Sequence, residues 1–402
     1  HLGLDDLITF DMGGTSTDVS LCPGHIQETS EASIGGAPIR VPVIDIHTVG
    51  AGGGSIGRVD AAGALAVGPE SAGANPGPVC YGRGEELTVT DANLLLGRLQ
   101  PDYFLGGRMP LDLERSRERM DRLAAELGRE PAGAAWGIVR VANSNMENAI
   151  RVISVQRGYD PRDFTLVAFG GAGPLHACEL AQELRIPRVL VPLYPGVLSA
   201  LGMLVADVVK DYARTVMLPS ASATAERLDE VFGPLEERGW ADLRAERFPD
   251  ERIRPQRFAD IRYVGQSFEL RVPLDDDSGE GFESRFHTLH QQRFGHADSR
   301  LPTEIVTVRL KVLGLVEPPR FEAASLEGAD ASAARIDERP VYFDAGYRPT
   351  WLYDRERLRP GNEITGPAIV VQTDTTSVIP PGWDASVDAF RNLVVDFRKG
   401  SR

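Results

Sequence analysis

The sequence predicts an α/β protein, and three stretches carry that prediction. Residues 7–10 are apolar or β-branched, and 19–21 resume an alternating pattern beyond a glycine turn, which reads as a β-hairpin. Apolar residues spaced by three and four run through 112–128 and 131–157, the period of helices. Residues 165–169 form a short apolar run, 170–174 a glycine-rich turn, 175–184 a helical pattern and 188–191 a returning strand. Strands alternating with helices in this way build an α/β core.

Composition bounds the rest. At 402 residues the chain is long enough for two or three domains and a large core. A hydrophobic content of 42% and a charged content of 25% are those of a globular protein. The net charge of −15 argues against nucleic acid and anionic membrane surfaces as partners, since neither attracts an acidic protein. Cys22, Cys80 and Cys178 lie far apart with no CxxC pair, which favours neither a disulfide framework nor a zinc ribbon and fits a reducing, cytoplasmic compartment. No run of 18 apolar residues exists. The chain starts at His1 and enters a core strand within six residues, so it is expected to be part of a longer polypeptide.

The hairpin reads L-I-T-F-D-M-G-G-T-S-T-D-V-S-L over 7–21. Gly13 and Gly14 permit close backbone approach to a ligand, and successive N–H groups in such a turn form an anion-binding nest. Thr15, Ser16 and Thr17 add hydroxyl donors, and Asp11 and Asp18 flank the turn with carboxylates suited to Mg²⁺ or its waters. The plainer alternative is an ordinary Gly-Gly hairpin with polar decoration. Neither a P-loop nor a strand–GxGxxG–helix unit occurs.

The chain then continues in order. Residues 39–47 read as one strand or two short ones, with Pro42 at an edge or bend. Asp45 and His47 are two apart, which on a strand places them on one face. Four readings stay open for the pair: metal ligands, a general base pair, substrate contacts, or an Asp–His hydrogen bond bracing the next loop. That loop, 48–56, holds four glycines between 50 and 54 and is built for close backbone approach. Residues 58–84 read as an irregular loop or loose hairpin, either a lid or a proline-braced surface loop, with Cys80 as a thiol without an evident base. Residues 90–93, T-D-A-N, resemble an N-cap and first helical turn, with Asp91 as a cap.

The helix over 131–157 carries Asn143, Asn145, Glu147, Asn148 and Arg151, either a ligand-facing or a solvated face. The turn at 170–173, Gly170, Gly171, Ala172 and Gly173, leaves room for a nucleoside to lie against the backbone and aims helix N–H groups at polar ligand atoms. His176 falls on the first helical turn, facing either the cleft or the surface. Residues 194–202 are a turn entering a helix, and 205–216 have strand character. A compositional change at 219–223 marks a boundary, followed by an amphipathic helix (224–247), a strand pair (256–273), a helix (281–294) and a strand (304–316). His287, His290 and His296 lack an acidic or cysteine partner at metal-ligand spacing, which favours a surface helix. An alanine- and serine-rich linker over 323–335 leads to short apolar runs separated by Pro-Gly turns. The predicted division is 1–218, 219–325 (α+β) and 326–402 (β-rich).

The string D-M-G-G-T-S-T-D-V-S at 11–20 is similar to a phosphate-binding motif of the superfamily uniting actin, sugar kinases and the heat-shock chaperone ATPases. F-G-G-A-G-P at 169–174 resembles its adenosine motif. H-T-V-G-A-G-G-G-S-I at 47–56, the N-P-G-P-V-C-Y-G loop at 75–82, T-D-A-N at 90–93 and R-Y-V-G-Q-S-F-E-L at 262–270 together resemble the hydantoinase A/5-oxoprolinase family. That family includes the ATPase-bearing subunit of acetone carboxylase-type enzymes. The resemblance covers most of residues 5–320. The family's first phosphate motif is not found, so a complete ATP site is expected to need an N-terminal half.

The resemblance implies an actin-like (ribonuclease H-like) ATPase core with smaller C-terminal α+β and β-rich parts. It implies ATP and Mg²⁺, with Asp11 holding the metal or its water. Gly13, Gly14, Thr15 and Ser16 would serve the phosphates, and Gly170, Gly171, Ala172 and Gly173 the nucleoside. Asp18, Asp45 and His47 would polarise substrate or orient a nucleophile. The implied reaction is ATP-dependent opening of a cyclic amide of hydantoin or 5-oxoproline type, its carbonyl activated by phosphorylation. Ketone carboxylation and non-catalytic nucleotide binding are the alternatives. A second, distinct subunit of hydantoinase B type is the expected partner.

Overall fold

Strict alternation builds the first strand, β1 (Asp6–Met12): Ile8, Phe10 and Met12 are fully buried on one face, while Thr9 and Asp11 point to the other. A computed structural model, which describes residues 2–29, 32–34, 37–39, 43–274, 281–344 and 346–398, pairs β1 antiparallel with β2 (Thr17–Pro23), Asp11 opposite Asp18. β3 (His47–Val49) adds on the outer side of β2, with Thr48 opposite Asp18. Of the strand expected over 39–47, residues 40–42, with Pro42, lie outside the described residues. Ser55–Val59 and Leu65–Ser71 then pair as a hairpin, where a loose one was expected.

Three helices follow, α1 (Val89–Leu95), α2 (Leu113–Leu127) and α3 (Pro131–Ile153), the last two close to their expected bounds. β4 (Thr165–Phe169) runs parallel to β1, α4 (Gly173–Leu184) crosses over, and β5 (Arg188–Val191) runs parallel to β4 before α5 (Leu198–Val205). From the end of the chain, β6 (Glu363–Thr365), β7 (Trp383–Val387) and β8 (Leu393–Phe397) complete an eight-stranded sheet in the order β6-β7-β8-β5-β4-β1-β2-β3. Ala134, Ala135, Ile138, Ala142 and Met146 of α3 share one buried core with Ile8, Phe10 and Met12 of β1 and with Ala177, Leu180 and Ala181 of α4. The alanines let helix and sheet approach closely, which holds the β1–β2 hairpin on a rigid base.

The compact units differ from the division read off composition. His1–Leu201 and Phe321–Arg402 form one unit, and Gly202–Arg320 the other. Residues 326–402 are therefore not a domain of their own: β8 pairs with β5, Val189 opposite Val395, and adds its ladder to the first sheet. Residues 208–219, assigned to the first domain up to 218, form a strand (Val208–Pro219) that pairs with Thr303–Gly314 in the second unit. The segment over 323–335 is also no free linker, since Ala324 donates its N–H to Ala389 O, Glu327 to Pro360 O, and Ala331 and Ala334 are buried.

A second four-stranded sheet of the first unit runs Arg335–Phe343, Gly346–Asp354, Ala368–Val371, Thr376–Ile379, and its last strand packs against α4. In the second unit the sheet order is Val208–Pro219, Thr303–Gly314, Ile253–Tyr263, Leu270–Pro273, with helices Ala225–Ala245 and Phe282–Phe294. His290 is buried there against Tyr263 and Phe286 instead of lying on a surface helix. No group of three His, Cys, Asp or Glu fit to hold a metal occurs among the described residues. None of their helices is long and apolar enough to cross a membrane.

The cap of α1 sits at Thr88, two residues before the expected position, because Asp91 and Thr88 form a capping box. Asp91 does more than cap. It is fully buried and accepts hydrogen bonds from the N–H groups of Val79 (3.2 Å), Cys80 (2.7 Å) and Thr88 (2.9 Å), and from the hydroxyls of Thr88 and Ser116, both at 2.8 Å. One carboxylate thus fixes the end of the 58–84 segment to α1 and α2. Asp91→Ala strands buried donors and is expected to cost on the order of 3 kcal/mol, read as a lower urea midpoint with an unchanged slope.

Candidate functional site

The site is built where two glycine loops meet. The turn of the β1–β2 hairpin closes with Gly13 N–H donating to Ser16 O at 3.1 Å. The second loop, 50–54, then takes the turn's carbonyls: Gly53 N–H donates to Gly13 O (3.0 Å) and Gly54 N–H to Gly14 O (2.6 Å). In a trans peptide the C=O of one residue and the N–H of the next point in opposite directions. Pulling the Gly13 and Gly14 carbonyls toward the second loop therefore turns the Gly14 and Thr15 N–H groups to the other, exposed side. Those two amides donate to no acceptor among the described residues, and Gly14 and Thr15 are exposed. Of the three amides at 13–15, Gly13's own N–H is thus spent on closing the turn, and the outward-facing pair at Gly14 and Thr15 has the geometry that can receive an anion.

Glycine is required in the second loop for contact. A Cβ on Gly52 would lie 2.7 Å from Gly14 C, Thr15 N and Thr15 C, and one on Gly54 would lie 2.8 Å from Gly14 O. Two further bonds lock the arrangement. Thr17 Oγ1, buried on the core face, donates to Ala51 O at 2.6 Å, and Thr90 at the start of α1 donates from both N–H and hydroxyl to Gly53 O at 2.8 Å. Thr17 is thus a brace, and Ser16 contributes its carbonyl to the turn.

The third element is the turn from β4 into α4. Gly170 adopts φ +78°, and a Cβ there would lie 2.4 Å from Asp11 Oδ1 and 2.5 Å from Met12 O. Ala172 N–H donates to Met12 O at 2.9 Å, and a Cβ on Gly173 would come 3.4 Å from Phe10 O, so the turn lies directly against the end of β1. Gly171 stays open, with only Asp374 O near a Cβ at 3.8 Å.

Asp11 is the meeting point. It accepts a hydrogen bond from Ser199 Oγ at 2.9 Å, at the start of α5. Burial, and secondarily the charge of Asp18, push its carboxyl above the usual range, while the Ser199 bond opposes that. Asp18, on the same face across the strand pair, accepts from Thr48 Oγ1 at 2.5 Å. Two neighbouring carboxylates, one of them partly desolvated, beside outward-facing amides suit a divalent cation that also binds phosphate oxygens, because Mg²⁺ uses one or two carboxylates and keeps waters.

Other residues singled out from sequence lie elsewhere. Asp45 precedes β3, so strand alternation does not align it with His47; both Nη1 and Nη2 of Arg157 donate to its carboxylate, the latter at 3.2 Å. His47 is opposite Val19 on the edge strand. Neither lines the cavity described below, and no hydrogen bond joins them among the described residues. His176 faces neither cleft nor surface: it is fully buried, with Nδ1 2.7 Å from Asn143 Oδ1 and Nε2 3.3 Å from Asn93 Nδ2. Burial, then the nearby charge of Arg98, pushes it down to about 3, so it stays neutral. Asn143 also donates to Glu179, Asn145 to Val67 O, and Arg151 pairs with Glu147, which accounts for much of the polar face of α3 within the protein.

Burial also pushes the thiols of Cys80 and Cys178 far up, and both are buried; Cys80 is no nucleophile. In the native protein only Cys22 is expected to react readily with a thiol reagent, and denaturation is expected to release the other two, as counted by absorbance.

A cavity of about 160 Å³ opens beside the three elements, lined by Gly13, Gly14 and Gly53, by Gly171 and Ala172, by Tyr81, Tyr103 and Phe104, and by residues 372–376. The aromatic wall is uncharged, Tyr81 being pushed up to about 12 mainly by burial. The 372–376 segment was not anticipated from sequence. It is the turn between Ala368–Val371 and Thr376–Ile379, and Thr375 Oγ1 donates to Gly171 O at 3.1 Å. The polar string Q-T-D-T-T between two apolar runs was its only local signal.

This geometry has relatives. Residues 1–212 match the Hydantoinase/oxoprolinase family model, and 219–397 match that of the Hydantoinase/oxoprolinase C-terminal domain. The chain belongs to the hydantoinase/oxoprolinase family. It is 38% identical over 400 residues to caprolactamase subunit alpha of Pseudomonas jessenii, covering 96% of this chain and 57% of that protein. To 5-oxoprolinase 1 of Arabidopsis thaliana it is 36% identical over 422 residues, covering 97% of this chain and 32% of that protein. Among solved structures it resembles nucleotide-free acetone carboxylase (TM-score 0.84, 26% identity) and the ATP-dependent caprolactamase of Pseudomonas jessenii (TM-score 0.80, 35% identity), each match covering 98% of this chain and 59% of the other. The chain thus spans little more than half the length of these caprolactamase and acetone carboxylase chains. The expected α/β fold with an actin-like ATPase core holds for this family member.

Proposed function

We propose that this chain is the nucleotide-handling part of an ATP-dependent hydrolase subunit that opens a cyclic amide after phosphorylating its carbonyl oxygen. The carrying observation is the convergence of three separate glycine-rich elements at the end of β1: the 13–15 turn that follows Asp11, the 50–54 loop packed on that turn, and the 170–173 turn packed on the Asp11 carboxylate itself. In this reading the Gly14 and Thr15 amides, with the Thr15 hydroxyl, bind phosphate oxygens, and Gly170, Gly171, Ala172 and Gly173 flank the nucleoside. Asp11 and Asp18 hold a magnesium ion or its waters, which when bound neutralises charge on the transferring phosphoryl.

Chemistry explains the need for ATP. An amide carbonyl is a poor electrophile. Moving the γ-phosphoryl onto its oxygen releases ADP and withdraws electron density, so a water adds to the carbon. The ring C–N bond breaks with the nitrogen taking a proton, and a second water splits the acyl phosphate into carboxylate and phosphate. The role of the protein is then to position and to neutralise charge. Relatives named caprolactamase and 5-oxoprolinase support a cyclic amide as substrate. The closer structural match to acetone carboxylase favours ketone carboxylation as a second reading, while the higher identity to caprolactamase supports the first. His47 lies on the edge strand that pairs with β2, the strand of Asp18, and Asp45 lies just before it; both are proposed only as outer contacts of substrate or partner.

The cavity of about 160 Å³ is below the ~300–1,000 Å³ usual for small-molecule pockets, which supports completion of the site by further polypeptide. The name of the alpha subunit supports a second, distinct subunit as partner. The test is phosphate release from ATP by the assembled enzyme with 5-oxoproline, hydantoin, caprolactam, or acetone plus bicarbonate. Stimulation by a cyclic amide is the expected result. Stimulation by ketone and bicarbonate alone would replace the hydrolase with the carboxylase.

A further inference from the structure

The cavity beside the glycine loops holds one charged side chain among its lining residues, Asp374, and no lysine or arginine. A lone carboxylate in a site read as receiving a polyanion is a poor contact for phosphate and a good acceptor for hydroxyls. We propose that Asp374 recognises the ribose hydroxyls of the bound nucleotide; this rests on the nucleotide-site reading above.

Position is the first argument. Successive residues of one turn mark two ends of the site: Gly170 lies against the Asp11 carboxylate, and Gly171 O accepts from Thr375 Oγ1, the neighbour of Asp374, at 3.1 Å. A second turn spans the same two ends, because Gly196 N–H donates to Asp374 Oδ2 at 2.8 Å while Ser199 donates to Asp11 at 2.9 Å. Asp374 therefore lies beside the turn that flanks the nucleoside, one step from the carboxylate that serves the phosphate end. In a nucleotide the group between base and phosphates is the ribose.

Chemistry is the second. A carboxylate repels phosphate and accepts from hydroxyls, and a ribose offers a vicinal pair of O–H donors. The Asp374 carboxylate is already oriented. Gly196 holds Oδ2, and a Cβ at Gly196 would lie 2.7 Å from Asp374 Cβ, so glycine there is what lets the side chain lie flat along the turn. Oδ1 has no partner among the described residues and is left to accept.

The experiment compares ATP with 2′-deoxy- and 3′-deoxy-ATP in the complete, assembled enzyme, wild type and Asp374→Asn. Asparagine keeps an oxygen for the Gly196 N–H but replaces the second acceptor with a donor. The wild type is expected to show a KM for at least one deoxy analogue about 10-fold above that for ATP. The variant is expected to raise the KM for ATP by a similar factor, with kcat changed far less, and to lose the discrimination. Equal KM values for ATP and both analogues in the wild type overturn the inference whether or not the variant folds. So does a variant that discriminates as well as the wild type, or one that weakens all three nucleotides equally and raises the Mg²⁺ requirement. Failure of the wild type to bind ATP at all contradicts the nucleotide-site reading instead.

Discussion

Asp11→Asn is expected to lower ATP-dependent turnover by at least about 100-fold while leaving the protein as stable as the wild type or slightly more so. The two effects have opposite signs because the carboxylate is held against its own preference. Burial and the neighbouring charge of Asp18 both disfavour its ionised form in the folded state. A carboxyl raised in this way weakens the folded state as pH rises above the ordinary carboxylate range, and a neutral amide removes that cost. Asparagine still accepts from Ser199 Oγ, so local geometry is retained. Only the charge is lost, and charge is what a magnesium–phosphate complex requires. Thermal melting beside steady-state phosphate release reads both quantities on one preparation. A variant that loses activity together with stability would mark Asp11 as a structural residue.

The second large effect is expected from Gly52→Ala. Its methyl group would sit 2.7 Å from three backbone atoms of Gly14 and Thr15, and backbone cannot rotate away as a flexible side chain does. Overpacking of this kind costs about 1–3 kcal/mol, and relief requires the hairpin turn to move. Displacing the Gly14 and Thr15 amides is expected to cost about 100-fold in turnover. Gly14→Ala is the informative contrast, since a Cβ there meets nothing within 4 Å. It is expected to keep its melting temperature yet weaken ATP, because its new methyl stands on the exposed side that the proposed function gives to phosphate. Loss of stability in both variants, or in neither, would contradict the division of labour between the two loops.

What was legible in the sequence was local. The hairpin at 7–21 combines alternation with a glycine turn, and both signals survive into the fold because nothing distant overrides them. The helices over 113–127 and 131–153 were likewise readable, from the apolar period. What distance hides was missed. Nothing in V-V-D-F at 394–397 announces that it pairs with residues 188–190, some two hundred positions earlier, so the last segment read as a separate domain. The 372–375 turn was missed for the same reason: it reaches Gly171 only because its strand packs on α4. His176 shows a different limit. Its sequence position fits either the cleft or the surface, and only the two asparagines from α1 and α3 reveal a buried neutral side chain.

The glycines were readable as a class but not in function. Sequence shows that 50–54 is made for close approach; the structure adds that the approach is to the first turn, whose amides it aims outward. A loop expected to bind a ligand thus serves in part to orient the loop that does.

The most direct measurement is the coupling of ADP formation to ring opening in the complete enzyme, wild type and Asp11→Asn, with a cyclic amide that stimulates phosphate release. One ADP per ring opened, with both rates falling together by at least about 100-fold in the variant, is the result this account predicts. Ring opening without ATP, or at an undiminished rate in Asp11→Asn, would contradict it.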